Sequence, residues 1–244
     1  LRSLVGSEMC IRDRKGLVLS ITAGQGHNQT AMVISKRFNE CGVECKYLDV
    51  YKFINPILSD SVNKIYLMST KAIPKIYGGV YRMCEKRGVQ SGAGIHGLNR
   101  ITNSVLSRSL IKLIQKEKPD FIICTHIFAA LLVTYISSIE HLNAKTIGVI
   151  TDFTIHPYWE DSLLDYYIIA NERLTIQGIK KGFPENKFLP LGIPIGTKFS
   201  RKIEKSKAKE ILNLHSKHTI LVMSGSMGFG AVYKAVSYTH LTLP

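Results

Sequence analysis

The stretch from Leu17 to Phe38, LVLSITAGQGHNQTAMVISKRF, constrains the fold more than any other part of the chain. An apolar run, Leu17 to Ile21, meets a glycine turn at Ala23, Gly24, Gln25 and Gly26; Ala31, Val33, Ile34 and Phe38 then recur at mixed three- and four-residue spacings. That order predicts a strand, a tight turn and a helix start. Glycines allow close approach of a ligand or a positive φ, and the first helical turn leaves amide donors for an oxygen-rich group. His27 sits at the mouth of the turn. In isolation such a histidine reads as a cap or a turn hydrogen bond, but the carboxyl end of a first strand is where open α/β sheets place their clefts.

The same alternation continues downstream. Val43 to Val50 (VECKYLDV) predicts a second strand ending in Asp49, one helix away from the first, which suits a right-handed parallel βαβ unit. Ile101 to Glu117 has helical spacing, KPDFIICTH (Lys118 to His126) reads as a buried strand, and Phe128 to Ile139 as a helix. A strand over Thr146 to Ile150, another over Asp165 to Ala170, a helix over Glu172 to Lys181 and a proline-stiffened turn at Leu189 to Ile195 complete an α/β pattern. Thr197 to Ser216 is polar and lysine-rich, with a short helix near Lys205 to Leu212, and reads as a linker. Thr219 to Met223 then predicts a further strand running into a second glycine loop at Ser224, Gly225, Ser226, Gly228 and Gly230. Two strand-and-glycine starts about 200 residues apart imply two Rossmann-like domains.

The two ends do not continue these patterns. LRSLVGSEMCIRDR (Leu1 to Arg14) and VSYTHLTLP (Val236 to Pro244) resemble translated sequencing-adapter sequence and are set aside from the fold. The expectation is a fragment whose natural segment runs from about Lys15 to about Ala235.

Charge narrows the partners. Thirty-two Lys and Arg against eighteen Asp and Glu give a net charge of +14, which favours a polyanionic partner. Eleven of these basic residues lie between Lys64 and Lys118 against only Glu85 and Glu117, so the excess is local. Within it, Lys64, Lys71, Lys75, Arg82, Lys86 and Arg87 are interleaved with Ile65, Tyr66, Ile73, Tyr77 and Tyr81. Helical spacing of this kind ordinarily means one solvated and one core face. The scarcity of acids favours instead an interfacial helix pair on an anionic membrane, with nucleic acid a weaker third reading. SGAGIHG (Ser91 to Gly97) reads as a mobile loop. The five cysteines lack zinc-ligand spacing and read as reduced, packed thiols of a cytoplasmic protein, and the chain has no run of 18 apolar residues.

Two clusters carry chemistry. The GQGHNQ turn lacks the third glycine of a dinucleotide fingerprint, and Asp49 alone does not restore it, so a nicotinamide oxidoreductase is disfavoured. TDFTIHPYWEDS (Thr151 to Ser162) places Asp152, His156, Trp159, Glu160 and Asp161 just past a buried strand, where loops carry function. Asp152 also reads as a turn cap, and Trp159 divides evenly between packing and ligand contact. Zinc held by His27, His126 and His156 is conceivable, but no pair has short ligand spacing.

Together the opening LVLSITAGQGHNQTA, KPDFIICTH, GVITDFTIHPYWEDSLLDYYIIANE, LGIPI and LVMSGSMGFG resemble the diacylglycerol glycosyltransferases. That family includes processive diacylglycerol β-glucosyltransferases and monogalactosyldiacylglycerol synthases; the lipid II GlcNAc transferase is a more distant likeness. The resemblance implies a GT-B architecture: an acceptor-side Rossmann-like domain over residues 15–196, a linker over 197–218 and the start of a donor-side domain over 219–235. It implies hexose transfer from UDP-glucose or UDP-galactose to diacylglycerol at the inner membrane face, without metal or cofactor, and without turnover in the fragment. His27 would be the general base or orienter, though the acidic residue that plant relatives carry in this turn is replaced by Ile21, Thr22 and Ala23. Gly24, Gly26, Asp152, His156 and Trp159 would bind the acceptor; Gly225, Ser226 and Gly228 would approach the donor diphosphate. The alternative function is a non-catalytic, basic lipid-surface module.

Overall fold

The computed structural model describes residues 13–22, 25–55, 106–214 and 218–223, and its contacts divide the chain into Leu1–Ile195 and Gly196–Pro244. The first unit is built on a six-stranded sheet: β1 (Lys15–Ser20), β2 (Glu44–Asp49), β3 (Phe121–Cys124), β4 (Lys145–Val149), β5 (Tyr166–Ile168) and β6 (Phe188–Leu189). Their order is β2-β1-β3-β4-β5-β6, and every neighbouring pair is parallel. Helices α1 (Gly26–Glu40), α2 (Val50–Ile54), α3 (106–117), α4 (Ile127–Ile139) and α5 (Arg173–Lys180) connect them.

Period-two alternation in the strands separates two cores. Leu17, Leu19, Ile122, Cys124 and Tyr167 face one side, where they pack with Leu110 and Ile114 of α3, Leu132 and Ile136 of α4, and Leu174 of α5. Val18, Ile123 and Val149 face the other, where Ala31 and Ile34 of α1 cover them. Covering both faces is what allows an all-parallel sheet, and it explains why these strands read as nearly continuous apolar runs. Of the apolar residues at helical spacing in α1, Val33 and Phe38 are only half-buried, while the polar Asn28, Thr30 and Ser35 are buried.

Two helices end by the same device. After α1, Gly42 has φ +81, the Val43 amide donates to the Phe38 carbonyl at 3.0 Å and the Gly42 amide to Asn39 at 3.0 Å. After α5, Gly182 has φ +89, with Phe183 donating to Gly178 at 3.1 Å and Gly182 to Ile179 at 3.0 Å. Both are Schellman ends, which require a left-handed residue that glycine adopts without strain. The second one drops Phe183 into the core, edge-on to Tyr167.

Structure and sequence reading differ at particular places. The second strand ends at Asp49 as expected, and Val50, the last residue of that apolar run, starts α2, because the Asp49 side chain accepts from the Lys52 amide and caps a new helix. In the second unit, α6 (Lys205–Ile211) forms with Glu204 as its cap. Thr219 to Met223, expected as a strand, is not one: Ile220, Leu221, Val222 and Met223 are 83, 77, 45 and 73% exposed. A strand exists only through pairing, and this run has no strand beside it among the described residues. The expected helix pair at 63–87 and loop at 91–97 lie outside the described residues.

Gly178 lies in the middle of α5, where a Cβ would fall 2.2 and 2.3 Å from the Phe188 ring and 3.2 Å from Ile155 Cδ1. Phe188 is buried and packs against the Tyr167 and Phe183 rings, so moving it disturbs that cluster. Gly178→Ala is expected to destabilise the protein by about 1–3 kcal/mol through overpacking, despite the better helix propensity of alanine. An unchanged or raised urea midpoint would show that the ring gives way.

Candidate functional site

The site grows out of the sheet order. The chain leaves β1 for β2 on one side and later returns to β3 on the other, so the crevice above the carboxyl ends of β1 and β3 is a topological switch point. His27, in the first turn of α1, stands over it. Its Nδ1 lies 2.8 Å from the Thr125 carbonyl, just past β3, and 2.9 Å from Thr151 Oγ1, just past β4. Thr125 is itself bound to β1, its amide donating to the Leu19 carbonyl at 3.0 Å, and its hydroxyl donates to the His27 carbonyl at 3.1 Å.

A carbonyl oxygen only accepts, so Nδ1 of His27 carries a proton, and in the neutral ring Nε2 holds the lone pair. That tautomer is the one a proton acceptor needs. Among the described residues nothing lies within 4 Å of where a Cβ on Gly26 would stand, and α1 has neither a side-chain cap nor an acid in its first turn. Gly24 lies outside the described residues.

The turn is pinned from below by a chain of side chains. Ser20 Oγ donates to Asn28 Oδ1 at 2.7 Å, Asn28 Nδ2 donates to Thr22 Oγ1 at 2.7 Å, and the Thr22 hydroxyl and amide both donate to Asp49 Oδ2. Asp49 therefore ties the ends of β1 and β2 together while capping α2 with its other oxygen. This occupation accounts for an acid at the end of β2 without any nucleotide ribose, and it leaves the nicotinamide reading without support.

His126 lies beneath His27, the rings 4.7 Å apart and edge-on. It is the cap of α4, its Nδ1 accepting from the Phe128 amide at 3.2 Å. Burial, and then the neighbouring His27 and His156, pull its pKa from 6.5 to about 3, so it stays neutral. Cys124, two residues earlier at the end of β3, is fully buried, and its thiol is pushed far up and stays protonated. Among the described residues no group of three or more His, Cys, Asp and Glu is arranged to hold a metal ion.

The loop after β4 is a scaffold as much as a lining. The Trp159 indole is only 3% exposed, edge-on to Tyr167 and packed over Gly148, where a Cβ would meet it at 2.8 Å. Of the two roles the sequence leaves open for Trp159, the packing one is visible here: the ring holds the loop on the sheet. His156 caps the 3-10 turn Pro157–Asp161, accepting from the Tyr158 amide at 3.2 Å. Glu160 pairs with Lys181 of the α5 end at 2.6 Å, and Gln177 holds the loop at Ile155 and Thr154. Asp152 and Phe153 remain exposed on the rim, Phe153 at 79%. On the same sheet edge, an open recess of about 620 Å³ lies past β5 and β6, lined by Asn171, Glu172, Arg173 and Leu191.

The structure thus brings His27 together with Thr125, Thr151 and His126. Neither threonine was singled out in the sequence, since hydroxyl residues at strand ends form no pattern. The expected donor residues Gly225, Ser226 and Gly228, and the expected membrane residues Lys64, Lys71, Lys75, Arg82, Lys86 and Arg87, lie outside the described residues.

The sequence profile of monogalactosyldiacylglycerol (MGDG) synthase matches residues 27–195, more than half of the chain. The chain belongs to the MGDG synthase family. The matched segment opens on His27 itself. The uncharacterized glycosyltransferase YkoN of Bacillus subtilis is 24% identical over 217 residues, 88% of this chain and 55% of the relative. A processive diacylglycerol β-glucosyltransferase of Bacillus mycoides is 25% identical over 239 residues, 96% of this chain and 59% of the relative, and one from Bacillus cereus matches to the same extent. This MGDG synthase family chain therefore spans little more than half the length of the curated relatives it matches. A lipopolysaccharide outer core galactosyltransferase, WaaB in its apo form, superposes with a TM-score of 0.41 at 13% identity, covering 72% of this chain and 44% of that one. Among the described residues no helix is long and apolar enough to cross a membrane.

The neutral His126 has a consequence for acid stability. The unfolded chain takes up a proton at this ring below its ordinary value of 6.5, whereas the folded ring resists until about 3. The unfolded state then binds more protons, so stability falls as pH drops through this window, with a slope approaching about 1.4 kcal/mol per unit. His126→Asn retains a side-chain acceptor for the cap and removes the titration. Urea midpoints measured from pH 7 to pH 3.5 should fall less steeply in the variant; parallel slopes would count against a buried neutral His126.

Proposed function

We propose that the complete protein is a hexosyltransferase that moves glucose or galactose from a UDP-sugar to diacylglycerol, inverting the anomeric configuration, on the inner face of the cell membrane. The observation that carries this reading is His27: an imidazole at the switch point of the sheet whose Nδ1 is committed to the Thr125 carbonyl and whose Nε2 holds the lone pair. Membership of the MGDG synthase family and the diacylglycerol β-glucosyltransferases among the relatives give the chemical class.

In this reading Nε2 accepts the proton of the acceptor hydroxyl as its oxygen attacks the anomeric carbon. The bond from that carbon to the diphosphate oxygen breaks, and UDP leaves with the electron pair. Gly26, Asp152 and His156 flank the acceptor, with Gly24 in the same turn. The second glycine loop, Gly225, Ser226 and Gly228, opens a donor-side domain of a GT-B pair, where backbone amides offset the charge of the leaving diphosphate. Residues 15–196 form the acceptor domain, and 197–218 link the two. Phe153, exposed on the rim, suits a lipid acceptor better than a sugar alone.

The test completes the chain with a donor half of the relatives' length and follows labelled hexose from UDP-glucose and UDP-galactose into diacylglycerol vesicles. A lipid-extractable product that falls on the order of 10²–10⁴-fold in His27→Ala is the expected result. The 244-residue chain alone is expected to give none, and labelled lipid from it would refute that. No product with either sugar, from a folded protein, would overturn the transferase reading in favour of a non-catalytic lipid-surface module.

The basic stretch gives the membrane part of the proposal. Lys64, Lys71, Lys75, Arg82, Lys86 and Arg87 dock on anionic headgroups, each basic residue near the surface contributing on the order of 1 kcal/mol. Binding to phosphatidylglycerol vesicles is then expected to weaken steeply as salt rises from low ionic strength, where the Debye length is about 30 Å, to 0.15 M, where it is about 8 Å. Salt-independent binding, or none, would remove this docking surface.

A further inference from the structure

We infer that Thr151 is a positioning residue for His27, its hydroxyl taking the place that a carboxylate occupies in an Asp-His pair. The inference rests on the general-base reading of His27, but its test does not depend on that reading.

Two oxygens face one ring nitrogen. Nδ1 of His27 is 2.8 Å from the Thr125 carbonyl and 2.9 Å from Thr151 Oγ1. Because the carbonyl can only accept, Nδ1 is protonated, and Thr151 Oγ1 accepts the second branch of the same N–H. The two acceptors come from the ends of different strands, Thr125 after β3 and Thr151 after β4, while His27 follows β1. A ring held at one nitrogen by one oxygen can still pivot; held between two strand ends, it points Nε2 in one direction.

Among the described residues no carboxylate hydrogen-bonds the His27 ring. Ile21, Thr22 and Ala23 supply no acid, and Asp49 is taken by Thr22 and by the Lys52 amide. When Nε2 takes a proton, the charge spreads to the Nδ1–H, and two oxygen dipoles already face it. This is the orienting and charge-stabilising role of the buried acid in a Ser-His-Asp triad, filled here by neutral groups. It also spares the site the cost of burying a charge beside the desolvated His126.

The experiment reads the His27 nitrogens directly, by ¹⁵N NMR of the histidine-labelled 244-residue chain with the ring neutral. Wild type and Thr151→Ser should show a protonated Nδ1 and a bare Nε2. Thr151→Val should keep Nδ1 protonated through the Thr125 carbonyl but move the Nδ1 and Nε2 shifts away from their wild-type values, as the N–H loses its second acceptor and the ring pivots. Should Thr151→Val disturb the amide spectrum, Thr151→Ala makes the same comparison. Identical His27 shifts in wild type and the hydroxyl-free variant, or a bare Nδ1 in wild type, would overturn the assignment. In the completed enzyme, Thr151→Val should lower kcat about ten-fold with KM little changed, with Thr151→Ser restoring most of it. Loss through KM alone would also overturn it. Absence of transfer by the completed wild-type enzyme would remove the transferase reading and leave the nitrogen shifts to decide the role of Thr151.

Discussion

Parallel pairing of β1 with strands on both sides is the constraint on which the rest of this structure depends. Six parallel strands put all their carboxyl ends on one edge, and the order β2-β1-β3 sends successive connections in opposite directions. α1 therefore covers one face while α3, α4 and α5 cover the other. Between these departures the sheet edge stays open over β1 and β3. The hydrogen bond from His27 to the Thr125 carbonyl spans that opening, and the Thr125 amide returns to Leu19 of β1, so the site is stitched into the ladder itself.

The surroundings of His27 are polar without being charged. Ser20, Asn28 and Thr22 hand their hydrogen bonds on to Asp49, which sits at the far end of the chain as a clamp between β1 and β2. His126 is kept neutral by burial, and it accepts a backbone amide instead of a proton. Fixed dipoles that already face the ring need no reorganisation when a charge develops on it. The loop after β4 contributes by being held still: Trp159 against Tyr167, Gln177 against Ile155, and Glu160 against Lys181. The Glu160–Lys181 pair is itself part-buried, with side chains 24 and 20% exposed, so it anchors the loop together with the buried indole.

Much of the fold was legible because its signals are local. Buried parallel strands read as apolar runs, helices read by their spacing, and Gly26 and His27 marked the first crossover. The misreadings share one cause. The apolar run from Thr219 to Met223 has the composition of a strand, but composition cannot supply the neighbour that a strand needs. Val50 looked like strand and began a helix, because a cap at Asp49 is a contact rather than a composition. Trp159, the one tryptophan, is no misreading: the sequence leaves packing and ligand contact even, and the structure shows the packing, on Gly148 and Tyr167.

The amino-acid sequence by itself determined the alternation of strands and helices, the glycine turn that sets His27 over a strand end, and the family likeness carried by ordered motifs. Those are properties of neighbouring residues and of their spacing. Only the tertiary structure decided which nitrogen of His27 bears the proton, that Thr125 and Thr151 hold it, that Asp49 is a clamp, and that His126 stays neutral. Each of these depends on groups 20 to 130 positions apart meeting at the sheet edge, as Thr22 with Asp49 or His27 with Thr151. Hydrogen-bond partners at such separations follow from strand order, and no local pattern records them.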